Sequence, residues 1–220
     1  KDSEDYAISQ FMKKELTSSE PLYTHDPYRN LTQQMEKEID AYLNNHEQVC
    51  ALKYLDEQKI NYTLATFPTS AEAEKAGYVI THQGHCASCS TTQDLAVYLK
   101  YPDLTDPIRK CGLWGILSEK WAMDCIKKVG FTDSCAQIWF YNSRNTKEKC
   151  LWPCMIDYIF DVPFTSSDYK LNKCLQCDED KSGPVFKYYA GRTRRDSGLH
   201  SRIPRPPSSI YNVTHCYYDQ

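Results

Sequence analysis

Residues 78–90 read Tyr-Val-Ile-Thr-His-Gln-Gly-His-Cys-Ala-Ser-Cys-Ser, and this stretch indicates most directly how the chain folds. Its first part is rich in β-branched and aromatic residues, which favours a strand that ends near Gly84. Residues 90–93 (Ser-Thr-Thr-Gln) form a capping box ahead of apolar residues, which predicts the start of a helix. Cys89 is therefore expected at a helix N-terminus, where free N–H groups and the helix dipole lower the pKa of a thiol.

Cysteine is frequent in this chain, with 11 among 220 residues. Three N-glycosylation sequons accompany the cysteines, at Asn30, Asn61 and Asn212. Cytosolic proteins rarely keep so many thiols, and sequons are glycosylated only in the secretory pathway. The sequence thus predicts a secreted or lysosomal glycoprotein. Because the number of cysteines is odd, one of them is left over as a free thiol or as a bridge to another chain.

The overall composition excludes several classes of partner. With 41% hydrophobic and 25% charged residues, the chain is typical of globular domains. A formal net charge of −3 provides no general attraction to nucleic acids, and no apolar run is long enough to cross a membrane. The expected partner is a small-molecule or peptide substrate, and no cofactor or metal is predicted.

Periodicity predicts a mainly helical chain. Apolar residues recur at helical spacing between Met35 and Leu55, and further helices are expected over 118–129, 132–141 and 146–160. Residues 60–67 alternate like a short strand, and the runs at 185–190 and 210–218 also have strand-like composition.

These elements predict an α+β fold that is predominantly helical, with a small sheet and a disulfide-rich single domain over residues 1–220. A possible subdivision separates a helical part (1–165) from a loop- and strand-rich C-terminal part (166–220). Cys150 and Cys154 are four residues apart and are expected to point the same way from one helix.

The segment Gln83-Gly-His-Cys-Ala-Ser-Cys-Ser90 resembles, over these eight residues, the active-cysteine segment of papain-like cysteine peptidases. The family pattern is Gln-Gly-x-Cys-Gly-Ser-Cys followed by an aromatic residue. The resemblance implies that Cys89 is a nucleophile, that Gln83 stabilises an oxyanion and that Cys86 is a half-cystine. The same roles make physical sense for a thiolate at a helix N-terminus beside a side-chain amide.

If Cys89 is the free nucleophile, the other ten cysteines can form five disulfides. These candidates are Cys50, Cys86, Cys111, Cys125, Cys135, Cys150, Cys154, Cys174, Cys177 and Cys216. The general base would then be His200, His215 or His85, and we leave the choice among these three histidines open.

Three other interpretations of the same segment remain. Cys86 and Cys89 could form a redox-active Cys-x-x-Cys pair between a strand and a helix. A metal could bind His82, His85 and the two cysteines, although an oxidising compartment favours disulfides. Finally, both cysteines could be purely structural, in which case the chain is a non-enzymatic, disulfide-rich extracellular binding protein.

Arg192, Arg194 and Arg195 form the most basic stretch of the chain, next to Gly191. Guanidinium groups suit carboxylate or phosphate recognition, so these arginines are candidates for binding an anionic group of the substrate. Alternatively, they pair with the acidic residues at 178–180. The leading functional hypothesis is a secreted enzyme that uses Cys89 in acyl transfer, hydrolysis or related addition chemistry. A binding protein or a thiol–disulfide oxidoreductase is the alternative.

Overall fold

Helices and one small sheet make up the molecule, as a computed structural model describes it for residues 2–18, 25–114 and 118–218. The elements within these ranges are α1 (Asp2–Phe11), β1 (Glu15–Leu16), α2 (Gln33–Asn44), β2 (Val49–Tyr54), β3 (Asn61–Phe67), α3 (Ser70–Lys75), β4 (Val79–Gln83), α4 (Thr92–Lys100), α5 (Thr105–Trp114), α6 (Glu119–Val129), α7 (Asp133–Ile159), α8 (Lys173–Lys181) and α9 (Gly183–Ala190). The predicted class, a predominantly helical and disulfide-rich α+β fold, is confirmed.

The sheet has the strand order β1-β3-β2-β4. The central strand β2 is antiparallel to β3 and β4, and β1 runs parallel to β3. The prediction of a helical run from Met35 to Leu55 is wrong in its second half, because α2 ends at Asn44 and β2 follows. The first four residues of β2, Val49–Leu52, are all buried. A strand buried on both faces is continuously apolar, and such a run also satisfies a helical template.

A small apolar cluster comprises Val49, Ala51 and Ala73, and two larger clusters form the rest of the core. One joins the sheet to α1 and α4 through Phe11, Leu52, Tyr62 and Leu95. The other joins α4, α5, α6, α7 and α9, with Phe131 among its buried residues. Helix α4 contributes to both larger clusters, and the residues that precede it, Ser88, Cys89 and Ser90, are buried.

Helix α7 is a single helix of 27 residues, although the sequence predicted two. Residues 142–145, between the two predicted helices, include Asn142 and Asn145, which are buried and bonded within the protein. The Asn142 Oδ1 accepts a hydrogen bond from the Tyr28 hydroxyl, and the Asn145 amide donates to Ser182 Oγ. Because these amides are satisfied by neighbouring segments, the helix continues through them.

Five disulfides staple the fold. They are Cys50–Cys86, Cys89–Cys135, Cys111–Cys125, Cys150–Cys177 and Cys154–Cys174. The last two connect α7 to α8 one helical turn apart. The prediction that Cys150 and Cys154 point the same way is therefore confirmed.

The two strands predicted in the C-terminal part are not found. Residues 185–190 lie in α9, which has a proline in its first turn, and residues 210–218 contain no strand. The strand-like composition of 185–190 reflects burial, since Val185, Phe186 and Ala190 lie in the core at helical spacing. Composition alone does not distinguish a short buried helix from a buried strand.

Candidate functional site

The segment 83–90 connects β4 to α4 and packs against residues 189–197. The N–H of Cys89 donates to the carbonyl of Ala190 at 2.8 Å. At Gly191 the two segments of the chain come so close that a Cβ atom on this residue would lie 2.6 Å from the carbonyl oxygen of His85. Gly191 also has a φ of +71°, a conformation that side chains disfavour. The candidate site is thus a tightly packed junction of two loops.

Cys89 is not a free nucleophile, which corrects the central prediction. Its side chain is fully buried and bonded to Cys135 in the first turn of α7. A sulfur atom in a disulfide has no thiolate to attack a substrate. The helix N-terminus was located within one residue, because Thr91 rather than Ser90 is the cap of α4.

Cys86 is bonded to Cys50 on β2, so it is a half-cystine as the resemblance implied. The Cys86/Cys89 redox pair is therefore wrong, since each sulfur is held by a different partner. The metal hypothesis loses both thiolates for the same reason. In the described ranges no three His, Cys, Asp or Glu residues are grouped so that they could hold a metal ion.

The residues predicted to assist Cys89 have other partners. The side-chain amide of Gln83 donates to the main-chain carbonyl of His46. His215 donates through Nε2 to the carbonyl of Ser197, and burial is the main reason why its pKa falls to about 4. His200 is exposed at the surface.

His85 lines a shallow, open cleft of about 320 Å³ between α2 and α9. Its ring packs on Tyr42 with centroids 4.3 Å apart, and it contacts Tyr188 edge-on. The Nε2–H of His85 donates to the carbonyl of Tyr188, and burial lowers the pKa of the imidazole. The ring is thereby fixed as a neutral member of an aromatic cluster.

A serine and a histidine for which the sequence analysis proposed no catalytic role lie at the centre of the junction. His82 Nε2 is 2.8 Å from Ser90 Oγ, and His82 Nδ1 donates to the carbonyl of Gln83. The N–H of Ala87 also donates to Ser90 Oγ. This arrangement resembles a nucleophile and its base, but both side chains are buried, with exposures of 1% and 0%. Because both side chains are buried, no substrate can reach them. Their hydrogen bonds instead hold the loop in shape.

Arg192 is completely buried and is saturated by neutral acceptors. Its guanidinium donates to the carbonyls of Cys89, Thr81 and Ser90 and to two hydroxyl groups. The hydroxyls belong to Ser197 and Thr81. Burial lowers the pKa of Arg192. Arg192 is therefore a structural centre that ties β4, the segment 83–90 and the loop after α9 together.

The prediction that Arg194 and Arg195 bind an anionic substrate is not supported by their contacts. Arg194 donates to the carbonyls of Tyr98 and Tyr101, and Arg195 pairs with Glu179 at 3.3 Å. The alternative pairing of this loop with the acidic stretch is thus found for Arg195. The guanidinium groups of Arg194 and Arg195 thus bind acceptors of the protein itself, because this loop packs against the rest of the fold.

Asp94 is a fully buried carboxyl group that links α4 to α7. Its oxygens accept hydrogen bonds from the N–H and the hydroxyl of Thr132 and from the hydroxyl of Thr91. Burial raises the pKa of Asp94 to about 6, although these hydrogen bonds act in the opposite direction. The two threonines are the N-caps of the two helices, so this carboxyl joins both helix starts.

The surface feature that the sequence did not reveal is an apolar face at the end of α7. The α7 face comprises Leu151, Trp152, Met155, Ile156, Tyr158, Ile159, Phe160 and Val162, whose exposures range from 39% to 75%. Only the side that carries Cys150, Cys154 and the buried Asp157 is turned toward α8. The sequence did contain a signal for this exposed face. The apolar residues of 151–160 cover more of the circumference of the helix than one buried stripe requires.

Among the cysteines, all within the described ranges, Cys216 is the free one and is exposed. Its place among the predicted half-cystines was wrong, and it takes the position that the prediction gave to Cys89. The asparagines of the three sequons, Asn30, Asn61 and Asn212, are all exposed. Glycosylation at these sites remains a prediction.

Residues 119–213 match a family of unknown function (DUF8771), a region that runs from α6 through the Arg192 loop. No curated protein and no solved structure matches the chain. In the part of the chain that the structure describes, no helix combines the length and the apolar character needed to cross a bilayer.

Proposed function

We propose that the protein is a secreted glycoprotein that acts by binding another protein, and that the α7 face is its docking surface. This is the non-enzymatic alternative of the sequence analysis. It is favoured because both cysteines of the segment, Cys86 and Cys89, are held in disulfides and neither is a free thiol. The five disulfides and the three exposed sequons support the secretory location.

The size of the α7 face is the observation that carries the proposal. At roughly 200 Å² for a large side chain, its eight members expose roughly 900 Å². The largest apolar patch of a typical monomeric protein covers only about 300–600 Å². A face of this size in water favours association, because burying apolar area lowers the free energy.

A protein is a better partner for this face than a membrane. Besides Phe160 and Val162, the loop at the tip of the α7–α8 hairpin exposes the polar residues Asp161, Ser166, Ser167 and Asp168. Insertion tip-first would therefore remove carboxylates from water, which is costly. Six of the eight apolar side chains of the α7 face lie along the side of the helix, where another helix or a groove can pack on them.

The scaffold part of the proposal is tested by alkylating the native protein without reduction and mapping the labelled peptides. We expect label on Cys216 and none on Cys89. Label on Cys89 in the oxidised, folded protein would reopen the nucleophile hypothesis.

The docking part is tested by placing a photo-crosslinking amino acid at Tyr158 in the full chain, secreted from cultured cells. We expect a protein adduct of defined mass that disappears when Ile156→Lys is added. The crosslinker placed at Leu55, an exposed leucine outside the α7 face, is the matched control. If Tyr158 gives no adduct, or gives the same adducts as Leu55, the docking proposal fails.

A further inference from the structure

We infer that the partner covering the α7 face is a second copy of this chain, paired by a two-fold axis that sets the two α7 ends antiparallel. This inference rests on the proposed function, since it names the partner for the same surface. Its observations are the spacing of the apolar residues, the area they expose and the charges at the two ends of the face.

The spacing on α7 is self-complementary. Trp152, Met155, Ile156 and Ile159 lie at positions i, i+3, i+4 and i+7, so they form one stripe along the helix. The stripe is symmetric about the point between Met155 and Ile156. A two-fold axis through that point places Trp152 of one copy against Ile159 of the other, and Met155 against Ile156. The large Trp152 then faces the smaller Ile159, and each contact occurs twice, as in an isologous interface.

The area also fits a dimer. A stable interface buries about 800 Å² on each partner, which is close to the roughly 900 Å² that the whole α7 face exposes. The four residues of the stripe supply about half of this area, so the flanking members Leu151, Tyr158, Phe160 and Val162 must also be covered in the dimer. Homodimer interfaces are more apolar than other interfaces and are depleted in charge, as this face is. A second copy is moreover always present at the concentration of the protein itself.

The charges at the ends of the stripe select the antiparallel arrangement. Lys149 precedes the stripe and Asp161 follows it, at nearly equal distances from its midpoint, and both are exposed. The neighbouring Glu148 pairs with Arg29 of the same chain at 3.0 Å, so its charge is compensated within each copy. Antiparallel pairing brings Lys149 of each copy near Asp161 of the other. Parallel pairing would instead bring like charges together, which is unfavourable.

The test is sedimentation equilibrium of the oxidised, full-length protein, whose chain mass is 25.5 kDa. We expect a dimer, and we expect Ile156→Lys to weaken dimerisation by about 100-fold or more because two lysines enter the buried stripe. The matched control is Leu55→Lys, which should leave the dimer intact. In all variants the disulfide map serves as the check on folding.

A charge exchange tests the orientation. Lys149→Asp should weaken the dimer by about 10-fold, and the double variant Lys149→Asp with Asp161→Lys should restore it, because both symmetric pairs are re-formed. Absence of rescue, or a dimer that ignores Ile156→Lys, would overturn the antiparallel α7 dimer. A monomeric protein whose Tyr158 crosslinks to a different protein would overturn the dimer while the docking proposal stands. A monomer that gives no adduct would overturn both.

Discussion

The guanidinium of Arg192 donates a 3.0 Å hydrogen bond to the main-chain carbonyl of Cys89, across 103 residues of sequence. The sequence analysis assigned substrate binding to Arg192 and nucleophilic attack to Cys89. The two residues are in contact, but the contact fixes their positions in the fold. The buried charge is stabilised by carbonyl and hydroxyl dipoles from three segments of chain.

Replacing Arg192 by methionine should strongly destabilise the protein. The substitution leaves several buried acceptors without a donor, and a loss of about 4 kcal/mol in the free energy of unfolding is expected. Urea unfolding measures it. Arg202→Met is the control at an exposed arginine, for which a change within about 0.5 kcal/mol is expected. Equal effects of the two substitutions would contradict the structural role of Arg192.

Gly191→Ala should also be costly, since the new Cβ would lie 2.6 Å from the His85 carbonyl and the φ of +71° is strained for alanine. We expect a loss of about 2 kcal/mol in unfolding free energy. Gly183→Ala, at the start of α9 with its nearest neighbours 3.8 Å away, should be neutral or stabilising. A tolerated alanine at position 191 would show that the two loops are not in close contact.

Asp94 should make the protein less stable as the pH rises. Its pKa is about 6 in the folded protein and close to 3.8 in the unfolded chain, so the folded state binds the proton more tightly. The stabilisation is complete below pH 4 and is lost between about pH 4 and 6, and it amounts to roughly 3 kcal/mol. His215, with its pKa lowered to about 4, contributes the opposite slope between pH 4 and 6.5.

Comparison with Asp94→Asn isolates the carboxyl from the histidine. The difference in unfolding free energy between variant and wild type should shift in favour of the variant as the pH rises from 4 to 7. Urea titrations at each pH provide the measurement, with Asp5→Asn as the control at an exposed carboxylate. A difference that stays constant with pH would mean that Asp94 titrates normally.

The Cys89–Cys135 disulfide should contribute more to stability than a disulfide that closes a short loop. It joins residues 46 positions apart, whereas Cys111–Cys125 spans 14. On loop-closure entropy alone, removal by paired alanines should cost about 4 kcal/mol and about 3 kcal/mol respectively. Thermal and urea unfolding of the two double variants compare them. A smaller loss at Cys89 and Cys135 would contradict their role as a central staple.

Much of the local structure could be predicted from the sequence. The strand leading to Gly84, the helix after Cys89 and the shared direction of Cys150 and Cys154 follow from turn residues, caps and spacing. These features depend on neighbouring residues, so a short window of sequence contains the information.

The site itself could not be predicted, because its chemistry depends on distant partners. Whether Cys89 is a thiol is decided by Cys135 on another helix, and whether Arg192 binds a ligand is decided by carbonyls near residues 81 and 90. Disulfide connectivity cannot be deduced from sequence spacing alone. Exposure of Trp152 likewise depends on which side of α7 is covered by α8.

The two disulfides between α7 and α8, one helical turn apart, hold the binding helix in its final shape before any partner arrives. An unsupported helix end would lose conformational entropy on association, which weakens binding. In this protein the entropy of ordering the helix end is lost during folding and not on association, so the surface is preorganised. The same cross-links make this surface sensitive to redox conditions, because a reducing compartment that cleaved them would free the hairpin and lower its affinity without altering a single contact residue.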